Sequence, residues 1–126
     1  MLTELKQKIY GSSAFTACFK KLVADNRLCV HGLRGSALSF FLAFLFEQGQ
    51  RQLLYIAPDI TKAEQVTGDL ESLLGESQVG HYPTLSYRGV SLSRFRPEQI
   101  GMRLKLLERL IQGERLVITT CLPAVV

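Results

Sequence analysis

Leu53-Leu54-Tyr55-Ile56-Ala57 is an unbroken apolar run, closed by Pro58. A strand with one wet face alternates apolar and polar residues. One without alternation is expected to be covered on both faces, as in a parallel sheet flanked by helices. Leu116-Val117-Ile118-Thr119-Thr120 repeats the pattern near the end of the chain. The segments between the two carry apolar residues at three- and four-residue spacing. Strands and helices therefore alternate, and the expectation is an α/β fold with right-handed crossovers and a mostly parallel sheet.

The remaining elements follow from periodicity and punctuation. After Pro58, Thr61-Lys62-Ala63-Glu64 matches a capping box, with Ala63, Val66, Leu70, Leu73 and Leu74 facing the core and Gly75 as the stop. Gln78 to Tyr82 is a weaker strand candidate, followed by a polar, irregular run from Pro83 to Arg96. Pro97 suits the first turn of a helix reaching Gln112, with Ile100, Leu104, Leu107 and Ile111 on one stripe and Gly113 at its end. Upstream, Leu28-Cys29-Val30 reads as a short strand stopped by Gly32, and Ser36 to Gln48 as a helix apolar nearly all round. Two further helices come first, Leu2 to Tyr10 and about Ala14 to Ala24, the latter lined by Phe15, Cys18, Phe19, Leu22 and Val23. The expected organisation is an N-terminal helical segment, 1–26, and an α/β domain, 27–126. Because "CLPAVV" stops where a new helix would begin, that domain is expected to be truncated at its C-terminal end.

Composition narrows the function classes. A chain of 126 residues with 47% hydrophobic content is about one domain's worth and can bury a real core. Its net charge of +4 is mild, and a mixed-charge surface explains it at least as well as nucleic-acid binding does. Cys18, Cys29 and Cys121 are odd in number and widely spaced, so buried free thiols are expected, with neither a disulfide framework nor a zinc site. The most apolar segment, Ala37 to Phe46, is about half of what a membrane-spanning helix needs, so a cytoplasmic protein with no membrane partner is expected.

One segment has the outline of a nucleotide site. In a phosphate loop, G-x-x-x-x-G-K-[ST], small residues let backbone N–H groups approach the phosphates, the lysine neutralises them and the hydroxyl holds magnesium. Gly32-Leu33-Arg34-Gly35-Ser36-Ala37-Leu38-Ser39 keeps the first glycine and the final serine at the correct spacing. Ala37 stands for the second glycine and Leu38 for the lysine. Leucine carries no charge and donates no hydrogen bond, so ATP hydrolysis here is not expected. Weak anion binding by the Gly35 to Ser39 amides, helped by Arg34, stays open beside a plain turn.

Other candidates are weaker. Arg88, Arg94, Arg96 and Arg103, with Tyr82, Tyr87 and Phe95, would suit a basic-aromatic strip for single-stranded nucleic acid, although arginines along a solvated loop are commoner. His31 and His81 fall at the C-terminal ends of expected strands, where ligands of open α/β sheets gather, but no carboxylate or thiol stands at ligand spacing, so no metal site is assigned. Asp59 follows a strand without a G-x-G-x-x-G, which favours a turn residue at the helix start. Ser36 and Ser39 have no identifiable base and no G-x-S-x-G elbow. No catalytic residue is assigned.

Three stretches, "VHGLRGSALSF", "LLYIAPDITKAEQV" and "GHYPTLSYRGVSLSRFRPEQIGMRLKLLERLIQGERLVITTCLPAVV", in that order and spacing, resemble the N-terminal part of the bacterial transcription-repair coupling factor family. That module is related to the excinuclease component UvrB. The resemblance implies a RecA/helicase-like P-loop fold with a degenerate phosphate loop. UvrB itself has an intact lysine-bearing loop and a longer, aromatic-rich hairpin insertion, whereas this chain has Leu38 and only a short run between Tyr82 and Pro97. By resemblance, the whole protein would displace stalled RNA polymerase with an ATP-driven translocase on double-stranded DNA and recruit excision repair through the excinuclease component UvrA. ATP and magnesium would belong to the motor, outside this fragment. The fragment would then be a non-catalytic scaffold with no cofactor, its direct partner being the rest of the same chain. The alternative is a nucleotide-binding fragment of a helicase-like or UvrB-like ATPase.

Overall fold

The computed structural model of the protein describes residues 2–84 and 97–125. The chain divides into two compact units, the first ending at Gln50 and the second beginning at Arg51. The expected boundary after residue 26 falls inside the first unit.

The first unit is three helices: α1 (Leu2–Tyr10), α2 (Ser13–Asp25) and α3 (Ala37–Gly49). Ser12 caps α2, its hydroxyl accepting from the Phe15 amide at 3.3 Å, and Asn26 ends it in the left-handed region at φ 57°. The apolar α3 supplies the core with Phe41, Leu42, Ala43, Phe44 and Phe46. Edge-on ring contacts tie α1 and α2 to it: Tyr10 to Phe44 at 5.4 Å, Phe15 to Phe41 at 5.2 Å and Phe19 to Phe44 at 6.1 Å between centroids. Lys6 of α1 pairs with Glu47 of α3. Of the face expected on α2, Phe15, Cys18, Phe19 and Leu22 are half-buried, but Val23 is 63% exposed.

The strand expected at Leu28-Cys29-Val30 does not form. Residues 27 to 34 have no regular structure, and Cys29 is exposed. Three apolar residues between the Asn26 turn and Gly32, at φ 83°, are too few to hold a strand without a sheet edge to pair with.

The second unit is built on a three-stranded parallel sheet of order β1-β3-β2, comprising β1 (Leu53–Ala57), β2 (Val79–His81) and β3 (Val117–Cys121). The register aligns Leu53 and Val79 with Val117, and Tyr55 and His81 with Thr119. Central β3 is the most buried strand, at Val117, Thr119, Thr120 and Cys121. Helix α4 (Ile60–Leu74) packs on the face carrying Ala57 and Cys121, burying Ala63, Val66, Thr67 and Leu70. Its N-cap is Asp59, whose carboxylate accepts from the Lys62 amide at 2.8 Å, in place of the expected Thr61 capping box.

Helix α5 (Pro97–Ile111) packs by β2, and α6 (Leu122–Val125) follows β3 directly. The face of α5 differs from the expected one by one residue. Leu106 is buried and Gln99, Arg103, Arg109 and Leu110 are half-buried, while Ile100, Leu104, Leu107 and Ile111 are exposed. Likewise β1 is not covered on both faces, because Leu54 is 57% and Ile56 46% exposed. An all-apolar run carries no mark of which side is covered, and on α5 the stripe that faces the sheet, with Gln99 and Arg103 beside Leu106 and Leu110, is the less apolar of the two.

Candidate functional site

The loop before α3 begins with two glycines in left-handed backbone, Gly32 at φ 83° and Gly35 at φ 57°, where a side chain would be strained. Between them Arg34 is exposed, and its carbonyl accepts from the Ala37 amide at 3.1 Å. That amide closes a turn. Ser36 stands at the N-cap but makes no side-chain cap, and its carbonyl accepts from Phe40 at 3.1 Å. Leu38 is half-buried and Ser39 is 1% exposed. The hydroxyl that would hold magnesium in a working loop is thus inside the core of the first unit. Nearby, exposed His31 lies with Nε2 3.3 Å from the Cys29 thiol, which is itself exposed and not buried as expected.

In the second unit, chemistry-bearing residues meet where the strands end. His81, closing β2, has Nδ1 3.1 Å from the Thr119 hydroxyl of β3. The Thr119 hydroxyl lies 2.6 Å from that of Thr67 on α4, and Thr67 donates to the Ala63 carbonyl at 2.6 Å. Thr67 and Thr119 are buried and His81 half-buried. Burial holds the His81 imidazolium pKa below its ordinary 6.5, offset in part by Glu64, a Thr119 backbone hydrogen bond and Glu71.

Beside this network, β2 runs on into Tyr82 and Pro83. The Tyr82 amide donates to the Thr119 carbonyl at 2.8 Å, and the Thr120 hydroxyl donates to the Tyr82 carbonyl at 2.9 Å. Arg103 of α5 stacks on the Tyr82 ring at 4.3 Å, donates through Nε to the Pro83 carbonyl at 2.7 Å and through Nη2 to the Ala124 carbonyl at 3.2 Å. Through Nε and Nη2 it clamps α5 to the strand ends. Asp59 caps α4, and burial followed by that carboxylate raises the Tyr55 pKa.

The expected residues therefore fall in two places. Gly32 to Ser39 belong to the first unit, while His81, Tyr82, Arg103 and Asp59 belong to the second. Arg88, Arg94 and Arg96, with Tyr87 and Phe95, lie outside the described residues. Among the described residues, no three His, Cys, Asp or Glu side chains cluster as a metal ion would require. No described helix is long and apolar enough to cross a membrane. The threonines of the His81 network went unread. Their signal is a hydroxyl inside the apolar face of α4, at Thr67, opposite Thr119-Thr120 at the end of a buried strand.

No family model matches the chain, and no solved structure matches it. The chain is similar to the transcription-repair-coupling factor of Bacillus subtilis (strain 168), with 31% identity over 94 residues. The similarity is partial. It covers 75% of this chain and 8% of the relative's length. It supports a relation to transcription-coupled DNA repair, and it leaves most of that protein without a counterpart here.

Proposed function

We propose that the chain is a non-catalytic scaffold module of a transcription-repair coupling factor, acting in the cytoplasm as part of a longer assembly. The carrying observation is the 31% identity to a coupling factor over three-quarters of the chain. The parallel α/β unit is consistent with a helicase-like ancestry. In this reading, Gly32 to Ser39 is a phosphate loop whose chemistry has lapsed. Leu38 supplies no charge, the Ala37 amide closes a turn, and Ser39 is buried.

The chain's own residues then perform no phosphoryl transfer. ATP, magnesium, double-stranded DNA, RNA polymerase and the excinuclease component UvrA are the business of the larger protein. This module contributes a folded surface against the rest of the same chain. Leu38→Lys tests the reading directly. Restoring the lysine brings neither an acidic metal ligand nor a group to position water, so the variant is expected to show at most weak anion affinity and no ATP turnover. Measurable magnesium-dependent hydrolysis by the wild type or the variant would favour a UvrB-like ATPase fragment instead.

A further inference from the structure

Beside the 3.5 Å approach of His81 Nδ1 to Thr67 Oγ1, the His81 network contains three closer contacts, and each needs one proton. Thr67 Oγ1 and the Ala63 carbonyl oxygen are 2.6 Å apart, and a carbonyl only accepts, so the Thr67 hydroxyl proton lies between them. Thr67 has then spent its one proton. The 2.6 Å contact between Thr67 and Thr119 must be filled by the Thr119 hydroxyl, because two oxygens at that distance without a proton repel. Thr119 has now spent its proton too. The 3.1 Å contact between Thr119 Oγ1 and His81 Nδ1 can be filled only from the ring. The reverse direction, with Thr119 donating to His81, would leave one of the two 2.6 Å oxygen pairs without a proton.

We infer that His81 is held as the Nδ1–H tautomer by a one-way chain, His81 to Thr119 to Thr67 to the Ala63 carbonyl. The chain joins β2, β3 and α4 and leaves Nε2 with the ring's lone pair. Its anchor is a backbone carbonyl of α4, two hydrogen bonds away from the ring. Thr67 is thus a positioning residue for a histidine it lies 3.5 Å from, at the limit of direct contact. Acidification adds a proton at Nε2 and reverses none of these bonds. The charged groups acting on the ring, Glu64 and Glu71 on α4, offset part of the cost of burying the resulting charge.

The test is long-range proton–nitrogen correlation NMR on the uniformly 15N-labelled 126-residue chain at mildly alkaline pH, with His31→Gln used to assign the two rings. The wild type is expected to show a pyrrole-like Nδ1 and a pyridine-like Nε2 for His81. Thr67→Val removes the acceptor for the Thr119 proton, which can then turn to the ring, so the two shifts should exchange. Thr67→Ser keeps the hydroxyl and should keep the wild-type pattern. On lowering the pH, Nε2 should move while Nδ1 stays pyrrole-like. A wild-type ring protonated at Nε2 overturns the inference, as does a folded Thr67→Val whose Nδ1 remains protonated. Should Thr67→Val fail to fold, Thr67→Ala carries the same expectation.

Discussion

At the scale of single residues, the clearest predictions come from atoms with too much room or too little. The Tyr10 hydroxyl is buried without a hydrogen-bond partner among the described residues, and burial, with Glu47 second, pushes its pKa far up. Tyr10→Phe keeps the edge-on contact with Phe44 and deletes the orphan oxygen. It should stabilise the first unit by about 1 kcal/mol, read as a rise in the urea midpoint at unchanged slope. Gly80 is the opposite case. A Cβ there would run well inside contact distance of Leu106 Cδ1, so the buried Leu106 side chain would have to shift to admit it. Gly80→Ala should cost about 1–3 kcal/mol in the same experiment, a typical overpacking penalty. Neither site was legible beforehand, because both depend on which residue of another element comes opposite.

At the scale of elements, Leu106 and Arg103 hold α5. Leu106→Ala empties the one fully buried position of that helix and should destabilise by about 2–5 kcal/mol. Leu104→Ala, on the exposed stripe, should change stability by no more than about 0.5 kcal/mol. Arg103→Lys loses the planar fork that reaches the Pro83 and Ala124 carbonyls while stacking on Tyr82. It should cost about 1–2 kcal/mol despite keeping its charge. Denaturant titration of the three variants checks all of these. The helices and the strands at 53–57 and 117–121 were legible because their periodicity, glycines and prolines are local signals. The face of α5 was not, since Ile100, Leu104, Leu107 and Ile111 are more apolar than the stripe that packs. Nor was the absence of a strand at Leu28 to Val30, because a strand exists only with a partner. The glycine-rich loop was legible as a motif, while the buried position of Ser39 came only with the packing of α3.

At the scale of the whole molecule, the second unit should respond to pH through His81. Its folded pKa lies below 6.5, so between the two values the unfolded chain binds more protons and stability rises with pH. The contribution is fully present above 6.5, falls as the pH drops towards the folded value and then levels off. His81→Asn, which lacks a group titrating there, should flatten that segment of the stability curve. The proposed function is that of a scaffold in a coupling factor, with no nucleotide chemistry at Gly32 to Ser39. Fluorescence titration with mant-ATP, with and without magnesium, measures it most directly. No saturable, magnesium-dependent binding is expected; micromolar binding that requires magnesium would contradict the scaffold reading.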